Sequence, residues 1–359
     1  METNAVREVS IESLIHNYHS IRRLSPTPLC AVIKADAYGH GAARLALLYE
    51  ALGVSYLAVA TLGEGVALRE RGARCPILIL GYTPPVYASY LVAYKLTQSG
   101  GSLPYLFALS REVTGTLSVH IQVDCGMGRY GFPAKEVAVL EKIKDIPHIK
   151  VTGVYTHYPT ADMEEDGGAL SLGIQQFSPW REAARRVFGD EVILHDANSA
   201  CFLRGHGGEM ARVGILLYGY LPSRRFVGAL PLIPAMTLKS HVVALRTLSC
   251  GEGVGYGHTF VAKEKTLVAT LSVGYADGLT RNATGHPVYI RGVPCPILGR
   301  VCMDACMVDA SHTEGLSLGE PAILFGKGAK GADALADKAG TIPYEILSRV
   351  GSRVPIRYI

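Results

Sequence analysis

Short apolar runs alternate with helical patterns over the first 220 residues of the chain. Ile11, Leu14, Tyr18 and Ile21 recur at the spacing of one helix face, and the apolar run Leu29–Ile33 follows as a predicted strand. The further predicted strands are Tyr56–Ala60, Pro76–Leu80, a weak one near Leu91–Leu96, Leu117–Val123, Lys150–Thr156, Val192–Leu194 and Ala211–Leu217. The predicted helices between them include Ala134–Lys144 and Leu172–Val187. Eight such units predict a (β/α)8 barrel, which takes about 250 residues or a little fewer.

The pattern changes after Tyr218, where proline and glycine interrupt the segment SRRFVGALPLIP. The remainder is mostly strand-like, in KSHVVALRTL, TLVATLSVGY, HPVYIRG, CMVDA and PAILFG, with one helical segment, IPYEILSRV, near the end. We therefore predict an α/β fold of two domains, a (β/α)8 barrel over residues 1–230 and a mainly β domain over residues 231–359.

Polar residues follow the predicted barrel strands at five places: Lys34 after the first, Arg129 after the fifth, His157 after the sixth, Asn198 with Ser199 after the seventh, and Arg212 with Gly214 on the eighth. Each has an ordinary explanation when taken alone, since a lysine after a strand is usually solvated and Ser199 could cap a helix. Barrels of this class carry their catalytic groups beyond the C-terminal ends of the strands. Five such groups at one rim therefore indicate an active site.

The first of these groups suggests a cofactor. Lys34 ends the apolar run AVIK, so we expect its amine to be partly desolvated and its pKa to be lowered. A neutral amine in that position suits a Schiff base with pyridoxal phosphate. The phosphate needs hydrogen-bond donors, which barrels often provide after strands seven and eight, where Ser199, Gly214 and Ile215 lie.

Composition and charge narrow the possible partners. The chain has 359 residues, of which 48% are hydrophobic and 18% charged, as is typical of a globular protein. Lysine and arginine number 35 against 31 aspartates and glutamates, and no basic run concentrates the excess, so nucleic acid is not predicted as a partner. Runs such as CPILILGY are far shorter than the roughly 20 residues that span a bilayer. The segment METNAVREVS also lacks the pattern of a signal peptide, and we expect a cytoplasmic protein without a membrane segment.

Eight cysteines are scattered along the chain without a C-x-x-C pair, which indicates reduced thiols. Cys302 and Cys306 are four residues apart, but no second pair and no histidine cluster accompanies them. Because a structural zinc site requires four ligands, no metal is predicted.

Eight motifs resemble those of the alanine racemase family, in order and over essentially the whole chain. They are AVIKADAYGHGA, VDCGMGRYGF, YTHYPTAD, HDANSA, ARVGILLYG, GVGYGHTF, VGYADGL and GRVCMDACMVD. The resemblance implies a pyridoxal-phosphate-dependent barrel of fold type III joined to a C-terminal β domain. It also implies a head-to-tail homodimer with shared active sites that interconverts L- and D-alanine and supplies D-alanine for peptidoglycan.

The resemblance further implies a role for each matching residue. Lys34 corresponds to the lysine that binds the cofactor and acts as one acid/base, and Tyr256 to the tyrosine that acts as the other from the partner subunit. Tyr38, Ser199, Gly214 and Ile215 match phosphate-binding positions, with Asn198 beside them. Arg212 matches the arginine facing the pyridine nitrogen, His157 the histidine linking it to the tyrosine, and Arg129 the arginine near the cofactor phenolate and the substrate carboxylate. In the β domain, Met303 matches a substrate contact, and Tyr275 and Asp304 match residues of the substrate entrance.

These implied roles agree with acid/base chemistry. Racemisation removes a proton from one face of the α carbon and returns one on the other, so two groups must stand on opposite sides of the cofactor. The free pKa values of lysine and tyrosine are near 10, and burial or neighbouring cations must tune both. An arginine at the pyridine nitrogen, with a pKa above about 12, weakens the electron sink and disfavours transamination.

Two positions depart from the family pattern. Gln122 stands where many members have a carbamylated lysine that orients the arginine corresponding to Arg129, so this arginine needs another support. Ser352 stands where some members have a tyrosine that contacts the phosphate and narrows the pocket. A smaller residue there would admit a larger or more polar side chain, which leaves a serine racemase or a broader small amino-acid racemase as an alternative. A related serine racemase carries a membrane domain that has no counterpart in this sequence.

The segment GEGVGYGHTF could also be mistaken for a phosphate-binding loop. It fits neither glycine-loop template, because Tyr256 or His258 would have to be glycine and a strand-like segment follows instead of a helix. Glycines on both sides of Tyr256 instead permit unusual backbone angles and the close approach of another chain. This tyrosine and the β domain also argue against a further alternative, a non-catalytic pyridoxal-phosphate carrier.

Overall fold

The fold is that of a computed structural model that describes residues 5–359. Its strands, in chain order, are β1 (Ala5–Val9), β2 (Leu29–Val32), β3 (Tyr56–Val59), β4 (Ile77–Ile79), β5 (Leu96–Gly100), β6 (Leu117–Asp124), β7 (Phe132–Pro133), β8 (Ile149–Thr156), β9 (Ile193–His195), β10 (Ala211–Val213), β11 (Met236–Leu248), β12 (Gly253–Val254), β13 (Phe260–Val261), β14 (Thr266–Leu271), β15 (Pro287–Ile290), β16 (Val293–Leu298), β17 (Cys306–Asp309), β18 (Pro321–Phe325) and β19 (Ile356–Tyr358).

The helices, in the same order, are α1 (Ile11–Leu24), α2 (Lys34–Gly39), α3 (Ala42–Ala51), α4 (Leu62–Glu70), α5 (Ala88–Ala93), α6 (Leu103–Glu112), α7 (Val139–Lys144), α8 (Ala169–Phe188), α9 (Ser199–Leu203), α10 (Ala332–Ala339) and α11 (Pro343–Arg349). Short 3₁₀ turns lie at Pro85–Tyr87, Ala134–Glu136, Ile215–Tyr218, Arg224–Phe226, Tyr256–His258 and Tyr275–Asp277. In residues 5–359, no helix is long and apolar enough to cross a membrane.

The first sheet forms the predicted (β/α)8 barrel. Its eight main strands are parallel and follow the order β10, β2, β3, β4, β5, β6, β8, β9. Two backbone hydrogen bonds connect the β9 and β10 ends of this sheet, from Glu209 N, shortly before β10, to Leu194 O (3.2 Å) and from Arg212 N to Ala197 O, shortly after β9 (2.9 Å). The predicted fold class is therefore confirmed, with the C-terminal ends of the strands at one rim.

The weak fourth strand was predicted at the wrong place. Helix α5 occupies Ala88–Ala93, and β5 begins only at Leu96, after Lys95 adopts a left-handed conformation with φ 50°. All five residues of β5, LTQSG, are buried although three are polar. Gln98 satisfies its side chain by accepting from Thr83 Oγ1 (2.7 Å) and donating to Gly81 O (2.7 Å). A search for apolar runs misses such a strand.

Two other predicted elements end early or divide. Strand β10 stops at Val213, and the rest of the predicted run Ala211–Leu217 turns into the 3₁₀ turn Ile215–Tyr218. The predicted helix Ala134–Lys144 consists of a 3₁₀ turn followed by α7.

The second sheet confirms the predicted mainly β domain. Strands β14, β17, β16, β15, β18 and β11 follow one another, and β14 also pairs with β11, so this sheet closes on itself. The 13-residue β11 closes the sheet because its first half pairs with β18 and its second half pairs with β14. The N-terminal β1 adds to this sheet, antiparallel to β11 and parallel to β19, although it precedes the barrel in sequence.

Candidate active site

Lys34 follows the first barrel strand and opens an unusual turn. Ala35, Asp36, Ala37 and Tyr38 all have φ between 52° and 55°, so the backbone is left-handed over four non-glycine residues. This conformation costs roughly 1–2 kcal/mol per residue. The turn must therefore be held by its surroundings, and it fixes where the Lys34 and Tyr38 side chains lie.

Glu64 holds the start of this turn. Its carboxylate accepts a hydrogen bond from Ala35 N (2.6 Å) and two more from Ala60 N (2.7 Å) and Thr61 N (3.2 Å) at the end of the neighbouring strand. The first two barrel loops are thereby tied together beside Lys34. Glu64 was not predicted from the sequence as a site residue. The only sequence feature that points to it is the capping box that it forms with Thr61.

Burial lowers the pKa of the Lys34 amine below its ordinary value. The Arg129 cation lowers it further, while the Glu64 carboxylate acts in the opposite direction. The amine is thus more readily neutral than a solvated lysine, as expected from its position after an apolar strand.

Tyr38, Ser199 and Gly214 form a group of hydrogen-bond donors beside this turn. Gly214 N donates to Ser199 Oγ (3.1 Å), and a Cβ on Gly214 would lie 2.7 Å from Tyr38 Oη. Tyr38 is 7% exposed, yet its hydroxyl has no hydrogen-bond partner among residues 5–359. The amide of Ile215 opens the adjacent 3₁₀ turn. Hydroxyl and backbone donors converge here as at a phosphate site.

Asn198 supports this group by capping α9. Its Oδ1 accepts from Ala200 N (3.0 Å) and Cys201 N (2.9 Å), and its Nδ2 donates to Tyr158 O (3.1 Å). The helix cap is therefore Asn198, and Ser199 is the first helical residue with its hydroxyl at Gly214. A direct contact of Asn198 with a cofactor stays a prediction.

Arg212 is buried inside the barrel and makes three hydrogen bonds. Its Nη1 donates to His195 Nδ1 (3.0 Å) and His195 O (2.8 Å), and its Nη2 donates to Thr156 O (2.7 Å). Its guanidinium carbon lies 5.0 Å from the centroid of the Tyr155 ring. These contacts hold the guanidinium in one orientation.

His195, which sequence analysis missed, is the histidine that hydrogen-bonds Arg212. Because arginine can only donate, His195 Nδ1 accepts and its Nε2–H donates to His120 Nδ1 at 2.8 Å. The proton of His120 is then on Nε2, a buried atom with no partner among residues 5–359. Burial holds the pKa of His195 far below its ordinary value and lowers that of His120 to about 3, so both rings are neutral.

His157 lies at the end of β8, close to three cations. Burial first, and then Arg212, Arg129 and Lys34, lower the pKa of this imidazole to about 3. In the part of the chain that the structure describes, it makes no hydrogen bond to Arg212. A link from His157 to a tyrosine of another subunit stays a prediction.

Arg129 and Gln122 border a cavity of about 320 Å³. Gln122 Oε1 accepts from Tyr155 Oη (2.9 Å), which also lies 2.8 Å from Ser99 Oγ. Arg129 is exposed, and its guanidinium carbon lies 5.8 Å from the Tyr130 ring centroid. No ion pair or hydrogen bond holds Arg129 among residues 5–359, so Gln122 does not orient it in this chain.

Tyr256 lies at the tip of a hairpin in the β domain. Strands β12 and β13 pair on either side of it, and its side chain is 64% exposed. The flanking Gly255 (φ 69°) and Gly257 (φ 71°) are both left-handed. These angles confirm that the glycines serve the backbone shape at Tyr256, and no helix follows that could bind a phosphate. Within one chain, Tyr256 makes no hydrogen bond or ring contact with Lys34 or its neighbours in residues 5–359.

The other predicted β-domain residues lie on two adjacent loops. Tyr275 N donates to Cys302 O (3.0 Å), next to Met303, which is 52% exposed. Asp304 forms an ion pair with Arg353 (2.8 Å), whose neighbour Ser352 is exposed. Tyr275, Met303 and Asp304 thus share one surface of the β domain.

Comparisons with known proteins identify the family. Residues 9–222 match the family described as alanine racemase, N-terminal domain, and residues 235–358 match the one described as alanine racemase, C-terminal domain. An alanine racemase of Clostridium novyi is 39% identical, with 98% of this chain and 94% of that protein covered. The chain belongs to the alanine racemase family.

Further members of this family agree over their full length. The alanine racemase of Desulfovibrio desulfuricans is 38% identical, covering 98% of this chain and 97% of that protein. Among solved structures, the alanine racemase of Bacillus anthracis with bound L-Ala-P has a TM-score of 0.93 at 31% identity, covering 100% of this chain and 96% of that chain. Membership makes this protein an isomerase whose cofactor is pyridoxal phosphate.

The residues at the barrel rim fit the alanine racemase cofactor. Lys34 offers an amine of lowered pKa, and the mostly buried Tyr38 offers a hydroxyl that has no partner in residues 5–359. Gly214 has no side chain to fill the space next to that hydroxyl. No grouping of three histidine, cysteine or acidic side chains that could hold a metal ion occurs in residues 5–359.

Replacing Gly214 by alanine tests whether the donors at Tyr38, Ser199 and Gly214 bind the cofactor phosphate. The new Cβ would stand 2.7 Å from Tyr38 Oη and displace that hydroxyl. Loss of one hydrogen bond to a charged group predicts about tenfold to hundredfold weaker binding of pyridoxal phosphate by the apoprotein, measured by spectrophotometric titration. Gly63→Ala is the matched control, because a Cβ there meets nothing within 4 Å. Equal affinities for the two variants would contradict this role of Gly214.

Proposed function

We propose that this protein interconverts L- and D-alanine by a two-base mechanism, with Lys34 and the partner subunit's Tyr256 as the two bases. The observation that carries the proposal is the lysine of lowered pKa beside the Tyr38 hydroxyl, which has no hydrogen-bond partner in residues 5–359, in a chain of the alanine racemase family. Bound pyridoxal phosphate supplies an electron sink that acidifies the α proton of the amino acid.

The two bases act at opposite faces of the α carbon. Lys34 Nζ takes or returns the proton on its own face, which requires the neutral amine that burial favours. The hydroxyl of the partner subunit's Tyr256 does the same on the other face. The 64% exposure of Tyr256 and the exposure of Met303 support a homodimer, because both side chains are available to another chain.

Arg212 limits the reaction to racemisation. Its guanidinium donates to His195 and Thr156 and retains its proton, so it cannot protonate a pyridine nitrogen as a carboxylic acid would. The electron sink is thereby weakened and transamination is disfavoured. We assign the phosphate to Tyr38, Asn198, Ser199, Gly214 and Ile215, as the motifs imply.

The substrate is held and admitted by residues from both domains in this proposal. Arg129 and the backbone of Met303 bind the substrate carboxylate, and His157 links Arg212 to the catalytic tyrosine. Tyr275 and Asp304 line the entrance, which their position on adjacent loops supports.

We further propose that the product D-alanine is used for peptidoglycan and that the protein is cytoplasmic. All eight cysteines are free, and six of them are buried, which supports a reducing compartment. The chain is divided into a barrel domain of residues 1–230 and a β domain of residues 231–359, with β1 added to the sheet of the latter.

Initial rates on L-alanine and L-serine test the choice of substrate. Ser352 is exposed and small at the position where some members carry a tyrosine, which makes serine the second candidate. We expect kcat/KM for alanine to exceed that for serine, and Ser352→Tyr to increase the ratio, because a tyrosine would narrow the pocket. A serine kcat/KM about tenfold above that of alanine would overturn the assignment, since one small polar group changes specificity by roughly this factor.

A further inference from the structure

Arg7 is a buried arginine that none of the site assignments above includes. It lies on β1, in the sheet of the β domain, and only 4% of it is exposed. Its Nη1 donates to Gly39 O (2.6 Å) and Val350 O (2.7 Å), and its Nη2 lies 3.6 Å from Asp36 Oδ2. These groups belong to the segment after Lys34 and to the end of α11.

Packing alone does not account for a guanidinium at this position. A buried cation is costly, and apolar residues of similar volume often stabilise a fold better. Its one ion-pair partner, Asp36, keeps a side chain that is 53% exposed, and Arg7 Nε has no partner among residues 5–359.

The contacts of Arg7 fall on the left-handed turn. Asp36 lies inside that turn, and its Oδ1 accepts from Ala42 N (2.8 Å), which ties the turn to α3. Gly39 closes the turn at φ 77°. Arg7 therefore contacts both the Asp36 carboxylate and the Gly39 carbonyl of a segment whose backbone conformation is unfavourable for L-amino acids.

Helix α11 closes the same segment from the other side. A Cβ on Gly39 would lie 2.5 Å from Leu347 O, so the turn and this helix are in direct backbone contact. Because Arg7 also donates to Val350 O, one side chain joins β1, the turn and the end of α11.

We propose that Arg7 is a positioning residue, which holds the left-handed turn so that Lys34 and Tyr38 face the cofactor. This inference rests on the proposed function in that it takes Lys34 as the cofactor lysine. It makes the geometry of Lys34 depend on the sheet of the β domain, through β1.

The test uses the purified holoenzyme of Arg7→Met and Arg7→Lys. Arg357→Met is the matched control, because Arg357 lies on the adjacent β19 in the same sheet and, among residues 5–359, pairs only with Glu8 at 3.5 Å. Three properties are measured: cofactor release by hydroxylamine, followed by absorbance; hydrogen–deuterium exchange of the amides of residues 35–41; and kcat and KM for alanine.

We expect Arg7→Met to release the cofactor about tenfold faster and to exchange the turn amides about tenfold faster, since relief of strain of this kind is worth about one order of magnitude. We expect kcat to fall by a similar factor with KM little changed. Arg7→Lys, which keeps the charge and one donor direction, should recover part of each effect, and Arg357→Met should resemble the unmodified protein.

A lowered melting temperature of Arg7→Met with unchanged cofactor release and unchanged exchange at residues 35–41 would overturn the proposal, because that is the result of a purely structural role. If Arg7→Met does not fold, Asp36→Asn decides, since it keeps an acceptor for Ala42 N but removes the charge facing Arg7. Cofactor release and exchange do not require turnover, so failure of alanine racemisation would be seen separately.

Discussion

A mixture of Lys34→Ala and Tyr256→Phe chains, each inactive alone, is expected to regain about one quarter of the alanine racemase activity of the unmodified protein. The gain follows from shared active sites. A mixed dimer has one site with both native bases and one site with neither, and random association makes about half of the dimers mixed. Each single variant should lose roughly 10²–10⁴-fold in racemisation, because it lacks one of the two proton-transfer groups.

The measurement is alanine racemisation after the two chains have been unfolded and refolded together in equal amounts. In the Tyr256→Phe variant alone, exchange of the α proton of L-alanine in D₂O should also be lost, while the absorbance of the bound cofactor at about 420 nm remains. Tyr289→Phe, on β15 of the same domain, is the matched control and should remain active alone. A mixture that stays inactive would contradict a site shared between subunits, and an active Tyr256→Phe would contradict the second base.

The barrel was predictable because most of its strands are continuous apolar runs. Strands of a parallel sheet are buried on both faces, so runs such as the one that forms β2 need no polar alternation. The position of β5 was not predicted because the strand contains the buried polar residues Thr97, Gln98 and Ser99. Their hydrogen-bond partners, such as Thr83 for Gln98, lie elsewhere in the sequence. Local pattern carries no information on such partners.

Part of the candidate active site could also be predicted from the sequence. Lys34, Ser199 and Arg212 could be identified because strand ends in a barrel meet at one rim. The left-handed turn after Lys34 could not, since alanine and tyrosine disfavour that conformation and contacts with Glu64 and Arg7 sustain it. His195 also lies at the end of a predicted strand. Its role in the site could not be predicted, because it depends on a hydrogen bond from Arg212 that forms only in the folded chain.

Five histidines whose pKa values are lowered by burial are expected to make the protein unstable in mild acid. Burial lowers the pKa of His40 to about 4 and those of His120 and His157 to about 3, and it holds the pKa of His195 well below, and that of His286 below, its ordinary value. In the unfolded chain a histidine has a pKa of about 6.5. The unfolded state therefore binds more protons than the native state wherever the pH lies below that value, and stability falls as the pH falls.

The size of the effect follows from the same linkage. Above about pH 7.5 both states are neutral at these rings and stability is unaffected, whereas at pH 5 each histidine that stays neutral in the native state costs about 2 kcal/mol. His40, His120 and His157 together contribute about 6 kcal/mol, and His195 and His286 add to it. This loss is comparable with the whole stability of an ordinary domain, about 5–15 kcal/mol. The carboxylates contribute mainly below about pH 5, where they begin to bind protons in the unfolded chain. The loss between pH 6.5 and pH 5 therefore belongs to the histidines.

Urea unfolding at several pH values and one protein concentration measures this loss. Trp180 is the single tryptophan and is fully buried, so its fluorescence reports unfolding of the barrel. His120→Gln should reduce the change in unfolding free energy between pH 7 and pH 5 by about 2 kcal/mol, since it removes one of these groups. The exposed His312 provides the control, and His312→Gln should leave the change as it is. An unfolding free energy that is constant from pH 7 to pH 5 would mean that these imidazoles are protonated in the folded protein, and with a charged His195 the hydrogen bond from Arg212 to its Nδ1 could not exist.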